Sequence, residues 1–247
     1  TATPSRGYTF VKWNDGNTDN PRIITAEKTD ITYTANFELF VSGTENDFGY
    51  IDLGLPSGLK WATCNVGATS PREYGDYFAW GEVEPKEVYN WGTYKWCIAE
   101  ESDWYNEITK YNYYYEWSYT GDGKTVLDPE DDAAAVNMGG SWRMPTQEEL
   151  QELIDECTWK WWDFSRHDGD SGYYVEGPNG NSIFLPAAGY RDDSDLYYAG
   201  SDGYYWSSSL DTGDSDYACG LFFHSYGVNW GGHYRCSGRS VRGVFSH

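Results

Sequence analysis

"DPEDDAAAVNMGGSWRMPTQEELQELIDEC", residues 128–157, contains the two stretches of this chain that read as helix. In the first, Asp128 is placed to cap "PEDDAAAVNM", with Pro129 at the first helical position and Gly139 just past the end. In the second, Thr146 and Glu149 have the spacing of a capping box ahead of "QEELQELIDEC". Leu150, Leu153, Ile154 and Cys157 then fall on one helical face. Beyond Cys157 the pattern changes. "TWKWWDF", "GYYVEG", "NSIFLPAAGY", "YYWSSSL", "CGLFFHSY" and "SVRGVF" are short apolar or alternating runs broken by Gly, Asp and Ser, which read as strand and loop. Residues 50–82 are likewise strand and tight turn, while 89–119 are crowded with Tyr and Trp and give no clean period. Two helices followed by a strand- and loop-rich half make the fold class α+β.

The chain has 247 residues and a formal net charge of −22. That suffices for one domain with a small appendage. So acidic a surface repels nucleic acid and anionic membrane, and neither is expected as a partner. No apolar run reaches the ~18 residues of a membrane span, so no direct insertion is expected of this fragment. The start at "TATPSRGYTF" lacks a Met and a signal peptide, which suggests an excised piece of a longer, secreted protein. Five cysteines without a C-x-x-C argue against a disulfide scaffold or a zinc ribbon. Cys64 and Cys157 stand in apolar contexts and are expected to be buried free thiols.

Residues 8–37 read as three short strands, "YTFVKW", "RIIT" and "ITYTANF", the first ending at an Asp15-Gly16 turn. The stretch "GYTFVKWNDGNTDNPRIITAEKTDITYTANFE" resembles the second half of an internalin B-type surface repeat. That resemblance makes residues 1–40 a truncated all-β spacer and 41–47 a linker. From about residue 50 to 245 the motifs "YIDLGLPSGLKWATCNVGA", "YGDYFAWGE", "DDAAAVNMGGSWRMPT" and "SIFLPAAGYR…GYYWSSS…SVRGV" resemble the Fibrobacter succinogenes major paralogous domain. This family occurs in surface proteins of gut Bacteroidetes. The resemblance implies a C-type-lectin-like domain over 48–247: two helices, small antiparallel sheets and a long, loop-rich C-terminal half. It also implies an extracellular or cell-surface location. Function does not follow from such a fold alone.

The C-terminal composition carries the functional reading. The first 176 residues contain 29 Lys, Glu, Gln or Met, whereas the 71 from Gly177 onward contain none. At the earlier rate about a dozen would be expected. The same fold hosts the variable proteins of diversity-generating retroelements, in which template adenines are miscopied and AAY codons become NNY. Such codons cannot encode Lys, Glu, Gln, Met or Trp. Trp206 and Trp230 would then be fixed positions, as would Leu210, Ala218, Leu221, Phe223, Val228, Arg235, Gly238, Arg239, Val241 and Arg242. A period near 2 over 217–229 is expected to alternate this scaffold with solvent-facing variable residues. The resemblance thus implies a variable region over about 190–240. The positions expected to bind ligand are Tyr197, Tyr198, Asp211, Asp214, Asp216, Tyr217, Phe222, His224, Tyr226, Asn229, His233 and Tyr234. Tyr and Phe supply stiff anchors there, and Asp, Asn and His supply polar specificity. Cys219 and Cys236 fit the same view as exposed products of randomised codons, with burial of both as the alternative. The ligand expected is a protein or glycan at a cell or phage surface. The alternative is an adhesin or fimbrial-tip glycan-binding domain of fixed specificity, with Trp and Tyr stacking on sugar.

Catalytic signatures are lacking. The chain has no G-x-S-x-G, P-loop or H-E-x-x-H. "GGSWRMPTQEEL" resembles a stretch of formylglycine-generating enzymes, but their closely spaced cysteine pair has no counterpart, since Cys219 and Cys236 are far apart. No enzyme activity is expected. The spacing of Cys219, His224, His233 and Cys236 matches no zinc finger. "DGDSG" at 168–172 begins like a calcium loop, but Asn179 stands where the bidentate Glu belongs. No cofactor is therefore expected beyond an adventitious calcium ion.

Overall fold

Both helices are set by side-chain caps. The computed structural model describes residues 1–4, 8–25, 30–98, 107–112, 122–163 and 171–246. Helix α2, Gln147–Glu156, has the full capping box: Thr146 Oγ1 accepts from the Glu149 amide at 3.3 Å, and Glu149 accepts from the Thr146 amide at 2.8 Å. Its Leu150 and Leu153 are buried. Helix α1, Ala133–Met138, starts later than expected. Asp128 caps nothing; residues 129–131 form a single 3-10 turn, and the cap is Asp132. Its carboxylate accepts from the amides of Ala134 and Ala135, and from Met144 at 2.8 Å. That third bond ties the helix start to a distant loop, which Asp128 does not reach. Asp128 instead pairs with Lys110 and Lys124.

The chain divides into two units, 1–42 and 43–247. In the first, β1 (Tyr8–Trp13) pairs antiparallel with β2 (Ala35–Leu39), with a bulge between Phe10 and Lys12. Phe10 packs against Trp13 and Phe37. "RIIT" is not a strand, and Ile23 is 96% exposed. With little apolar material to bury, two strands form rather than three.

The second unit begins within the expected linker. β3 (Gly43–Glu45) and β4 (Phe48–Asp52) form a hairpin over Asn46 and Asp47, both at positive φ. β5 (Lys60–Ala62) pairs with β4. β6 (Cys97–Ile98) and β7 (Glu107–Ile108) form a small ladder. After α2, β8 (Thr158–Trp162), β9 (Gly172–Glu176) and β10 (Ser182–Pro186) make a three-stranded antiparallel sheet. β11 (Tyr190–Asp192) and β12 (Asp195–Tyr197) form a hairpin. β13 (Asp202–Leu210), β14 (Tyr217–His224) and β15 (Gly227–Tyr234) form a second three-stranded sheet, with β15 at its edge. β16 (Val244–Phe245) returns to pair with β5, so the two ends of this unit share one sheet. The fold is α+β. No helix among the described residues is long and apolar enough to cross a membrane.

Residues 235–245 are all buried, though only the last two are strand. Buried backbone must find partners outside a ladder, and here it does so against several segments. The Arg239 amide donates to Phe78 O at 3.0 Å and the Ser240 amide to Tyr204 O at 3.2 Å, while Trp80 donates to Arg235 O at 2.8 Å. Two arginines complete the weave. Arg235 donates to Tyr94 Oη and to the carbonyls of Tyr111, Ser215 and Lys110. Arg242 donates to Asn65 Oδ1 and to the carbonyls of Ala62, Thr63 and Phe184. Around this segment lies a core of Phe78, Trp80, Tyr111, Met138, Trp142, Trp206 and Phe245, among others.

Candidate functional site

The β11–β12 hairpin turns at Asp193 and Ser194, with Asp193 at φ 48°. It lies close to β13 because Gly189 bridges Gly203. A Cβ on Gly189 would stand 2.1 Å from the Tyr197 carbonyl, at φ +66°, so glycine is required there. This approach sets Tyr190 against Tyr197 (ring centroids 5.6 Å), Tyr198 (6.1 Å) and Tyr204 (5.0 Å). The pairing Tyr204↔Phe222↔Asn229 extends the surface across the sheet. His233 then packs against Tyr204 at 5.9 Å and Phe222 at 5.8 Å. Six aromatic side chains thus form one continuous face.

Beneath it lies Arg239, its guanidinium 4.8 Å from the Tyr204 ring centre, 4.9 Å from Trp206 and 5.2 Å from Tyr190. Burial lowers its pKa to about 9. Burial, and secondarily the charge of Arg239, push His233 down to about 3 and keep it neutral. Burial raises Tyr204 to about 12.

The twelve positions expected to bind ligand fall into three patches rather than one. Tyr197, Tyr198, Phe222, Asn229 and His233 belong to the aromatic face. His224 and Tyr226 stand at the β14–β15 turn, where the Tyr226 amide donates to His224 Nδ1 at 3.1 Å and the Tyr226 side chain is fully open. Tyr217 and Tyr234 stack at 4.6 Å at the far end, beside Trp91. Their mutual hydrogen bond raises Tyr217 to about 12. Next to them, Asp211 accepts from the Gly213 amide and Asp214 from the Asp216 amide, so both shape turns.

Several of these side chains are not free surface groups. Phe222, Tyr217, Asp211 and Asp216 are half-buried, and the His233 ring is largely enclosed, because neighbouring strands and the segment after β15 cover them. Cys219 and Cys236 are buried, which takes the second of the two alternatives the sequence leaves open. Cys219 Sγ donates to Gln147 Oε1 at 3.1 Å, and burial raises its thiol to about 11. Cys236 lies in a second core cluster with Tyr77, Tyr89 and Tyr94. Of the expected scaffold, Trp230 is 38% exposed, and Val228 is half-buried. Cys64 and Cys157 are free but only half-buried. Tyr190 and Tyr204 lie within the expected variable region but are not among the twelve positions expected to bind ligand. Among the described residues no group of His, Cys, Asp or Glu side chains is arranged to hold a metal ion. Residues 168–170 of the calcium-like stretch lie outside the described residues.

Residues 157–244 match a family model described as a domain of unknown function (DUF8237). The match therefore covers both three-stranded sheets and the β11–β12 hairpin, and so includes the hairpin and the β13–β15 sheet that build the aromatic face. No curated protein and no solved structure matches the chain.

Proposed function

We propose that residues 43–247 are a C-type-lectin-like, non-catalytic domain that binds a protein or glycan ligand at a cell or phage surface. Its region of about 190–240 is diversified through adenine miscopying. Residues 1–42 are a spacer displaying it. The observation that carries the reading is the coincidence of two independent patterns. The stretch without Lys, Glu, Gln or Met includes the largely buried β10, β13 and β14, but within it the β11–β12 hairpin and the edge strand β15 have no buried residue. The segment carrying Arg235 and Arg242 lies inside and holds the scaffold through eight side-chain hydrogen bonds. Aromatic rings bordered by Asp, Asn and Ser give contact area with adaptable hydrogen bonding, as binding loops of variable receptors do.

A second reading, the adhesin of fixed specificity, is favoured by the burial of Cys219 and Cys236 and the enclosure of the half-buried His233 ring, since a randomised codon is tolerated poorly in a packed site. Deep sequencing of the 3′ end of the gene, across a growing population and sister isolates, separates the two. Substitutions confined to adenine-derived codons of exposed positions such as Tyr197, Tyr226 and Asn229 are expected. A uniform sequence in every culture and isolate overturns diversification in favour of the adhesin.

A further inference from the structure

The two margins of the β13–β14–β15 sheet are finished differently. On the β13 side, the Trp206 amide donates to Ser240 O at 3.0 Å and the Ser240 amide to Tyr204 O at 3.2 Å, so the buried segment after β15 closes that margin. The β15 margin is open. The Arg235 amide donates to Asp216 O at 3.0 Å, which sets the phase of the ladder: odd-numbered residues of β15 bond to β14, and even-numbered ones direct N–H and C=O outward. Trp230 N–H is accordingly taken by Asn229 Oδ1 at 2.9 Å and not by β14. The amides of Val228 and Gly232 and the carbonyls of Val228, Trp230 and Gly232 meet no partner among the described residues. Exposed edges ordinarily carry a Lys, a Pro or a bulge that keeps other strands away. β15 has no Lys, Arg, Asp, Glu or Pro, and its register with β14 is unbroken over 8 residues. Asn229, Trp230 and Gly232 are exposed, and a Cβ on Gly227 would meet no atom within 4 Å. α2 packs across β13, β14 and β15, so it covers one face of the sheet and leaves this edge uncovered.

The face on which α2 lies is acidic beside this edge. Asp211 Oδ2 is 2.5 Å from where a Cβ on Gly232 would stand. Gln151, which accepts from the Trp230 indole at 2.7 Å, donates to Asp155 at 2.7 Å. Glu148 lies near Cys219, the β14 partner of Gly232, and with Asp211 adds to the rise that burial gives its thiol. Neither β15 nor α2 contains a Lys or Arg. We propose that the β15 edge receives an extended, basic segment of a partner protein as a fourth strand. A row of outward N–H and C=O groups is complementary to another polypeptide backbone, and a glycan has no such row. Every second side chain of the added strand falls on the face of Trp230, Asp211, Glu148 and Asp155, which selects Lys or Arg at alternate positions. A second copy of this chain is a poorer occupant, since each carries a net charge of −22 and brings the same acids to its own β15. The inference rests on reading this unit as a ligand-binding domain and narrows its ligand from a protein or glycan to a protein.

The test is a titration of the full chain, ¹⁵N-labelled, with an acetylated and amidated peptide in which Thr and Lys alternate, following backbone amides by NMR. Saturable shifts are expected at the amides of Val228 and Gly232, and none with a peptide that has Glu in place of Lys. Two further peptides are N-methylated, one at its Lys amides and one at its Thr amides, and they keep the charge while each loses the donors of one edge. One of the two should bind at least about tenfold more weakly, and the other about as well as the parent. Loss on the Lys set means an antiparallel added strand, and loss on the Thr set a parallel one; either supports the edge. Val228→Pro removes one outward N–H and no ladder bond, so it should weaken the parent peptide about fivefold. Should this variant fail to fold, the methylated pair on the unaltered chain decides alone. Equal behaviour of the two methylated peptides leaves only attraction between charges and overturns the added strand, as does the lack of a saturable shift. A chain that dimerises through these amides and ignores the peptide makes the occupant a second copy and overturns the proposal as well. A chain that ignores the peptide but varies at its exposed codons loses this edge site and keeps the diversified receptor. One that takes the peptide but never varies keeps the edge site and loses the diversification.

Discussion

β13 and β15 flank the same central strand and are built to different requirements. β13 is buried along most of its length, while β15 has no buried residue. The side chains of β13 are bonded into other segments: Tyr205 Oη donates to Pro186 O at 2.8 Å, Trp206 Nε1 to Phe78 O at 2.8 Å and Ser207 Oγ to Cys219 O at 2.7 Å. β15 is held mainly by backbone, in continuous register with β14 from Gly227 to Tyr234. Membership of a sheet therefore does not decide whether a position tolerates change. What decides it is whether a second layer lies on that side chain, and β15 has one at His233.

The two tryptophans read as fixed positions give the largest test of this contrast. Trp206 is fully buried between the core and Arg239, and Trp206→Ala should cost about 3–5 kcal/mol in urea unfolding. Trp230 is 38% exposed, and its indole N–H donates to Gln151 Oε1 at 2.7 Å, joining the edge strand to α2. Trp230→Ala should cost about 1 kcal/mol. Equal losses would break the contrast, because β15 would then be as much a part of the packed scaffold as β13.

His233 is the place where the edge strand behaves like the inner one, and pH reads it. Its folded pKa of about 3 lies below the ordinary 6.5, so the unfolded chain binds a proton that the folded chain refuses. Stability should be intact above about pH 6.5 and fall as the pH drops towards 3. By about pH 5 the loss should reach roughly 2 kcal/mol. Carboxylates held down by partners add their losses later. Asp128, lowered to about 2 by hydrogen bonds from Lys124 and Lys110, loses its contribution as the pH falls from the ordinary carboxylate value of 3.8 towards 2. Urea unfolding at pH 7 and 5, with and without His233→Gln, isolates the histidine. A slope unchanged by the substitution would return His233 to the open surface.

The sequence disclosed devices that act locally. The Thr146–Glu149 box needs only its own four residues, whereas the alternation expected over 217–229 holds only in part, because Cys219 and Gly220 are buried beside Ala218 and Leu221. It did not disclose decisions made by distant partners. Four acids are available ahead of α1, and Asp132 is the cap because the Met144 amide comes back to meet it. Cys219 and Cys236 sit in Gly-rich, polar stretches, yet α2 covers the first and the Tyr77–Tyr94 cluster covers the second. Tyr190 joins the aromatic face only because a tight hairpin folds it onto Tyr204. Nothing in the spacing of Arg235, Arg239 and Arg242 separates the one whose Nε and Nη1 lack acceptors among the described residues from the two that each donate four hydrogen bonds.

The smallest stability effect is expected where the binding effect should be largest. Tyr226 is 94% exposed at the β14–β15 turn, and the exposed Asn229 side chain accepts from the neighbouring Trp230 amide. Neither side chain has a second layer, so Tyr226→Ala and Asn229→Ala should each change stability by no more than about 0.5 kcal/mol. A ligand recovered by display selection should nonetheless lose most of its affinity to the pair of substitutions, because an exposed aromatic anchor supplies contact area that no other residue replaces. Unfolding and binding must be measured on the same preparations. Stability held with binding lost places function on Tyr226 in the β14–β15 turn and on Asn229 at the exposed margin of the face. Binding held with stability held moves the contact to the aromatic face around Tyr197 and Tyr204, which substitution of those two residues would then show. A loss of stability above about 1 kcal/mol would mean that the edge strand uses its side chains to hold the sheet, and the distinction between the two strands would fail at its clearest point.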